Sequence, residues 1–347
     1  MTTEGPTGSK LDYDGERISV GCDVAIDTVH RIMELNGCTH EVASEVAEHL
    51  VESDLSGVES HGVMRALKYA EFFQNGRMNP RAVAQVVVRE NGVEEIDGQG
   101  GIGIPAMRLA AHHSCARAKE TGMAALALRN VGHTGRLGAF AEYAANEGCL
   151  MIIVGGGGRQ NWRQVAPYGG RKALLPTNPY CIGIPGGDRG PVVLDFATSQ
   201  IAGGWIYAAQ SAGAQLPEGA LINKDGYPSR DPNDYFNGGA ILPSGGPKGY
   251  ALSVMAEMIC EAMLGPVTTE CNWMMITLDT SRYRAANTMQ AAAEEVLSEL
   301  RNCPTMPGFA RVEIPGEREA DQRTLNRPLG LQIPAPTWSA IVAASGS

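Results

Sequence analysis

The order of patterns between residues 105 and 154 constrains the fold most. A helix-spaced segment at 106–119 leads into an apolar run at 124–128, and a second helical segment at 137–146 leads into another at 150–154. Short apolar runs bounded by loops read as strands buried on both faces, and helices alternating with them build a covered sheet. Further strands are expected at 180–184, 192–194, 274–278 and 310–314, and further helices at 250–264 and 285–301. The fold class is α/β.

The first 80 residues read as mainly helical. Residues 1–20 form a loose arm. Asp23 then caps a helix whose face is Ala25, Val29, Ile32 and Met33, ended by Gly37. Thr39 caps a second helix through Val42, Val46 and Leu50, and Val63, Leu67, Ala70 and Phe73 form a third stripe that closes at Gly76. A hairpin is expected over 83–88 and 93–96. Residues 215–248, rich in Gly, Pro, Asp and Asn, form a long excursion of the kind a compact protein keeps for function. The division is a helical region of 1–80 and an α/β region of 81–315.

Composition narrows the partners. A net charge of −10 argues against nucleic acid or an anionic membrane surface, but leaves room for a local basic pocket. No run approaches the roughly 20 apolar residues of a membrane helix, and Met1 to Lys10 lacks the apolar core of a signal peptide. Eight scattered cysteines without a Cys-x-x-Cys pair read as reduced thiols of a cytoplasmic protein. No metal ligand set is read; His112 and His113, mid-helix, are assigned to structure.

Chemistry concentrates in a few loops. Ser60, His61 and Arg65 lie in a glycine-flanked break between helices. With a helix starting near Ser60, His61 and Arg65 share one face, a proton carrier beside a carboxylate clamp. A capped, solvated helix start is the plainer reading. His133 follows a buried strand and precedes a helix, where ligands of open α/β folds collect; a loop histidine bonded to a carbonyl is the alternative. Gly155 to Gly158 follow another strand and suggest close backbone approach, to a ligand or within a turn. Asp195 ends a strand as helix cap or histidine partner, and Lys248 precedes a helix where it would neutralise a phosphate. Gly98-x-Gly100-x-x-Gly103 fits a dinucleotide fingerprint literally, yet its strand is short and charged and the next strand ends at Arg129-Asn130 without the ribose-binding acid. It reads as a glycine-rich turn.

Taken together, Asp54-Leu-x-Gly57-Val-x-Ser60-His61-Gly62-Val-x-Arg65, His133-x-Gly135, Ala166-Pro-x-Gly-Gly170, Thr177-Asn-Pro179, Leu194-Asp-x-Ala-Thr-Ser199, Lys248-Gly and Pro315-Gly-Glu317 resemble, in order, the malate/L-lactate dehydrogenase family. That family also holds ureidoglycolate, sulfolactate and diketogulonate oxidoreductases and cyclic imine reductases. The resemblance implies a sulfolactate-dehydrogenase-like, non-Rossmann NAD(P)-binding fold in which 316–347 packs with the N-terminal helices. It implies a homodimer that reduces a 2-oxo acid, or a cyclic imine carboxylate, by hydride transfer. Arg65 is then the clamp for the small carboxylate substrate, with Thr177 touching it. His61 is the proton donor with Ser60 and Asp195 as relay, or His133 is the acid–base group. His133, Thr134, Gly135, Arg136, Leu137, Gly157, Asp195, Phe196, Ala197, Lys248, Pro315, Gly316 and Glu317 are the implied cofactor contacts. The chain departs from the pattern at Gly204-Trp205, where Gly-Lys is usual, at Gly155-Gly-Gly157 in place of Thr-Asn-Ser, and in a short 264–273 segment.

Overall fold

The structure, a computed structural model, describes residues 15–212 and 214–346. Strand β1 (Arg17–Val20) precedes helices α1 (Cys22–Leu35) and α2 (His40–Leu55). Thr39 caps α2 by accepting the Val42 amide, while Gly21, not Asp23, is the cap position of α1 and Asp23 lies in its first turn. A 3-10 turn (Glu59–His61) separates α2 from α3 (Arg65–Gln74). The hairpin β2 (Gln85–Val88) and β3 (Glu94–Gly101) leads to α4 (Gly103–Thr121), β4 (Met123–Val131), α5 (Gly138–Asn146) and β5 (Cys149–Gly156). Strands β6 (Pro179–Ile184) and β7 (Val192–Ala197) follow, then α6 (Gly203–Ala212).

The 215–248 excursion is folded. Strands β8 (Leu221–Ile222) and β9 (Pro228–Ser229), helix α7 (Pro232–Phe236) and β10 (Ala240–Ile241) make a small sheet over a core of Val165, Leu175, Ile206, Leu221 and Ile241. Helix α8 (Pro247–Glu257) runs into a π-helical turn, followed by β11 (Cys271–Asp279), α9 (Ala286–Arg301), α10 (Glu317–Leu329), β12 (Leu331–Pro334) and α11 (Ala335–Ala344).

Sheet order explains where the loops meet. The seven-stranded sheet runs β2-β3-β4-β11-β5-β6-β7. Strand β11 pairs antiparallel with both β4 and β5, so those two point the same way, and two further antiparallel pairings bring β7 parallel to them. The ends of β3, β4, β5 and β7 and the starts of β6 and β11 therefore share one edge of the sheet. Helices α4 and α5 bury Met107, Ala110, Phe140 and Ala141 against its face with Ile96, Leu128 and Ile153. A second core joins α1 to α3 with Leu331, Ile333 and Ile341 from the C-terminal segment.

Two expectations need correction, and one helix was not anticipated. Part of the 1–20 arm is ordered: β1 pairs with β12 through Val20 and Leu331, while residues 1–14 lie outside the described residues. The 310–314 strand is absent. That run is exposed at Arg311 and Glu313, which pair with each other, and only the carbonyl of Pro315 reaches a strand, at the Val193 amide. Helix α6 is present although its opening Gly203-Gly204 hides it in the sequence; Ile206 and Ala209, one turn apart, are its buried side.

Candidate active site

The Asp54 carboxylate builds the first half of the site. Asp54 Oδ2 accepts the Val63 amide at 2.7 Å, and a Cβ on Gly62 would collide with that carboxylate. Gly57 holds φ +71°, which favours glycine. These constraints fold 59–61 into a separate 3-10 turn instead of the start of one helix, so Arg65 opens α3 and the expected shared helical face for His61 and Arg65 does not form. The two still converge. Ser60 Oγ lies 3.0 Å from His61 Nδ1, and Arg65 Nε donates to the Ser60 carbonyl at 2.6 Å. Among the described residues no carboxylate lies within ion-pair distance of Arg65. Helix α6 comes close to the end of this side chain: a Cβ built on Gly204 would stand 3.2 Å from Nη2.

The loop after β4 supplies the second half. The Gly135 amide can only donate, and it donates to His133 Nδ1 at 3.2 Å, so the neutral ring carries its proton on Nε2. Tyr69, one turn beyond Arg65, places its hydroxyl 2.7 Å from the same Nδ1. The His61 and His133 rings stack with centroids 5.3 Å apart. His49 of α2 accepts the Arg136 amide at 2.9 Å and stacks on Phe140; a Cβ on Gly135, at φ +70°, would run into the His49 ring. Burial first, then the nearby guanidinium of Arg65, pushes His61 down to about 3 and His133 well below its ordinary value. His49 falls to about 3 through burial and the charge of Arg136. All three imidazoles are neutral near pH 7. Burial raises Glu270 to about 7 against the opposing charges of Arg65 and Arg77, and raises the Tyr69 phenol as well.

Sequence reasoning missed His49, Tyr69 and Glu270. Only Tyr69 left a signal, as the residue four beyond Arg65 on one helix face.

Other predicted residues line the same sheet edge. Buried Asn178, at φ +41° before Pro179, donates to Glu257 Oε1 at 2.6 Å, and the Gly157 amide donates to the same oxygen at 2.9 Å. Asn178 Oδ1 and Glu257 Oε2 are buried without a hydrogen-bond partner. Thr198 donates to the Thr177 carbonyl at 3.0 Å and fixes that loop. Lys248 stands exposed in the first turn of α8. Asp195 accepts the Gly138 amide at 2.6 Å at the start of α5; its hydrogen bond goes there and not to the Ser60–His61 pair. Phe196 stacks on Tyr180, and Ala197 closes β7 opposite Pro179. Pro315 to Glu317 lie by Val193, near the other end of β7, and Glu317 is engaged by Arg301 at 2.8 Å and Arg189 at 3.3 Å. The Gly98–Gly103 run has no open phosphate cradle: the Gly103 amide donates to the His133 carbonyl, and a Cβ on Gly103 would strike the Gly132 carbonyl.

The family model for malate/L-lactate dehydrogenase matches residues 21–342. The chain belongs to the malate/L-lactate dehydrogenase family. It is 36% identical to the Delta(1)-pyrroline-2-carboxylate/Delta(1)-piperideine-2-carboxylate reductase of Pseudomonas putida, covering 87% of this chain and 89% of that one. It is 34% identical to an L-lactate dehydrogenase of Cupriavidus necator, over 82% and 84% of the two chains. The sulfolactate dehydrogenase structure from Methanocaldococcus jannaschii superimposes with TM-score 0.82 at 27% identity, covering 95% of this chain and 97% of that one. The chain is thus an oxidoreductase with that family's mixed α/β fold.

Two departures from the family pattern have a local cause. A Cβ on Gly155 would enter the Trp273 ring, and one on Gly156 would lie 2.8 Å from the Ala256 carbonyl, so packing requires these glycines. Glu257 supplies the acceptor for Gly157 from across the sheet edge. The short 264–273 segment brings the Glu270 carbonyl to within 2.8 Å of where a Gly158 Cβ would stand, so it packs directly on the turn after β5.

Proposed function

We propose that this chain is an NAD(P)-dependent oxidoreductase acting at carbon 2 of a small 2-oxo or 2-hydroxy acid. The observation that carries this reading is the half-buried guanidinium of Arg65, with no carboxylate at ion-pair distance among the described residues, beside two stacked neutral histidines. A planar guanidinium with free N–H groups suits a carboxylate bidentately. When bound, the nicotinamide supplies or accepts the hydride. In this reading the Ser60 hydroxyl donates to His61 Nδ1, which leaves Nε2–H to meet the substrate oxygen as negative charge grows there. Burial is the first cause of the depressed His61 and Arg65 the second, so a substrate carboxylate on Arg65 offsets part of the depression and moves the ring toward taking up a proton. Tyr69 and the Gly135 amide orient His133 as the second acid–base candidate.

Asn178 Oδ1, a buried acceptor without a donor, suits a carboxamide N–H such as that of nicotinamide, and Lys248 suits a phosphate. The loop from His133 to Leu137, Gly157 and residues 195–197 complete the proposed cofactor surface. Pro315 to Glu317 contribute less to it, because Glu317 already has its partners. Leu252, Met255 and Met258 leave an apolar strip of α8 and its extension exposed, which suits a second copy of this chain. Eight free cysteines fit a cytoplasmic setting.

Glu270 favours a second reading, a cyclic imine carboxylate. A protonated imine brings its own proton, so neutral histidines suffice, and an acid facing the site stabilises its positive charge. A panel of open 2-oxo acids and of five- and six-membered cyclic imine carboxylates, each with NADH and NADPH, separates the readings. Turnover of the oxo acids supports the first. Turnover of the imines alone, lost at least tenfold in Glu270→Gln, supports the second, and oxidation of neither cofactor with any of them refutes both.

A further inference from the structure

The turn between α1 and α2 gathers His30, Glu34 and His40, whose candidate ligand atoms all lie within 4.8 Å of one another. His30 and Glu34 are one turn apart on α1, with Nδ1 to Oε2 at 3.6 Å. His40 opens α2 and sets its Nδ1 3.2 Å from Glu34 Oε1. The two rings meet edge to face with centroids 4.6 Å apart. Metal–ligand bonds near 2.0–2.1 Å in a tetrahedron put neighbouring ligand atoms about 3.3 Å apart; the Glu34 carboxylate presents one oxygen to each imidazole, at 3.6 and 3.2 Å.

The backbone holding these groups is constrained. Gly37 turns the chain at φ +95°, the Asn36 side chain donates to the Ile32 carbonyl at 2.8 Å, and Cys38 is buried in the core beneath. We propose that His30, Glu34 and His40 bind a divalent transition ion of the zinc type, with water in the fourth position. Two imidazoles and one carboxylate form a borderline donor set that suits Zn2+ or Co2+ over Mg2+ or Ca2+. A metal on Nδ1 leaves the proton of His30 on Nε2, which is buried without a partner. That cost, together with only three protein ligands, makes the ion exchangeable instead of permanent. The bound ion ties the end of α1 to the start of α2, revising the sequence reading, in which no metal site was found.

The test uses the full chain with Cys303→Ser, which removes the exposed thiol as a competing soft ligand. After chelator treatment and dialysis the protein is titrated with Co2+, followed by its visible d–d band, and then with Zn2+ in competition. The site predicts a saturable tetrahedral band, its displacement by Zn2+, and a rise in Tm on loading. His40→Ala and Glu34→Gln should each weaken Co2+ at least about tenfold, the lower bound for loss of a supporting group. Absence of a saturable band, or wild-type affinity in either variant, overturns the proposal.

Discussion

Arg65 is the residue whose chemistry the rest of the site is arranged to use. Its Nε is satisfied by the Ser60 carbonyl, while Nη2 lies close to Gly204 of α6. Charge-assisted hydrogen bonds of this kind are worth about 1.5–3 kcal/mol. Arg65→Ala should therefore raise KM for a carboxylate substrate by about 10- to 100-fold. Affinity for NAD(P)H in a fluorescence titration should stay near that of the wild type, and an unchanged KM would remove Arg65 from the substrate. Arg65, Ser60 and His61 were legible in the sequence because they lie within six residues of one another. His49 and Glu270 were not, since nothing local ties them to His61; they arrive through the packing of α2 and the start of β11.

At the level of elements, the glycines of the site motifs are explained by close packing within the chain. Gly135 sits at φ +70° with its missing side chain facing the His49 ring, and its amide sets the tautomer of His133. Gly135→Ala combines a left-handed backbone with overpacking, a cost of about 2–5 kcal/mol. It should lower Tm by several degrees and depress turnover through a displaced His133. Thermal unfolding with parallel kinetics checks this, and a variant with both values unchanged would show that the loop tolerates a Cβ. Helices and strands with strong period were legible, from α1 through β5. The 310–314 run was misread because alternating Arg311 and Glu313 imitate an edge strand, yet those side chains pair with each other in solvent. Helix α6 was hidden because paired glycines at its start mask a helix-spaced apolar face.

For the whole molecule, the sequence order of the motifs indicated the family, but the neighbour relations that make a site came from topology. Strand β11, drawn from residues 271–279, inserts between β4 and β5, and no local pattern announces that. The insertion brings Glu270 beside the loops of His133 and Gly158 and gathers motifs spread from Ser60 to Lys248. The Pro315 to Glu317 motif was equally visible in the sequence, yet the fold holds it by the far end of β7 in its own ion-pair cluster. The central claim is that reduction takes place where His61 and His133 stack beside Arg65. Its most direct test is the turnover of His61→Ala and His133→Ala with the best substrate of the panel, measured alongside NAD(P)H binding. Loss of a positioned acid–base group predicts a fall in kcat of about 100- to 10,000-fold in at least one variant, with cofactor affinity retained. Wild-type turnover in both variants would contradict it.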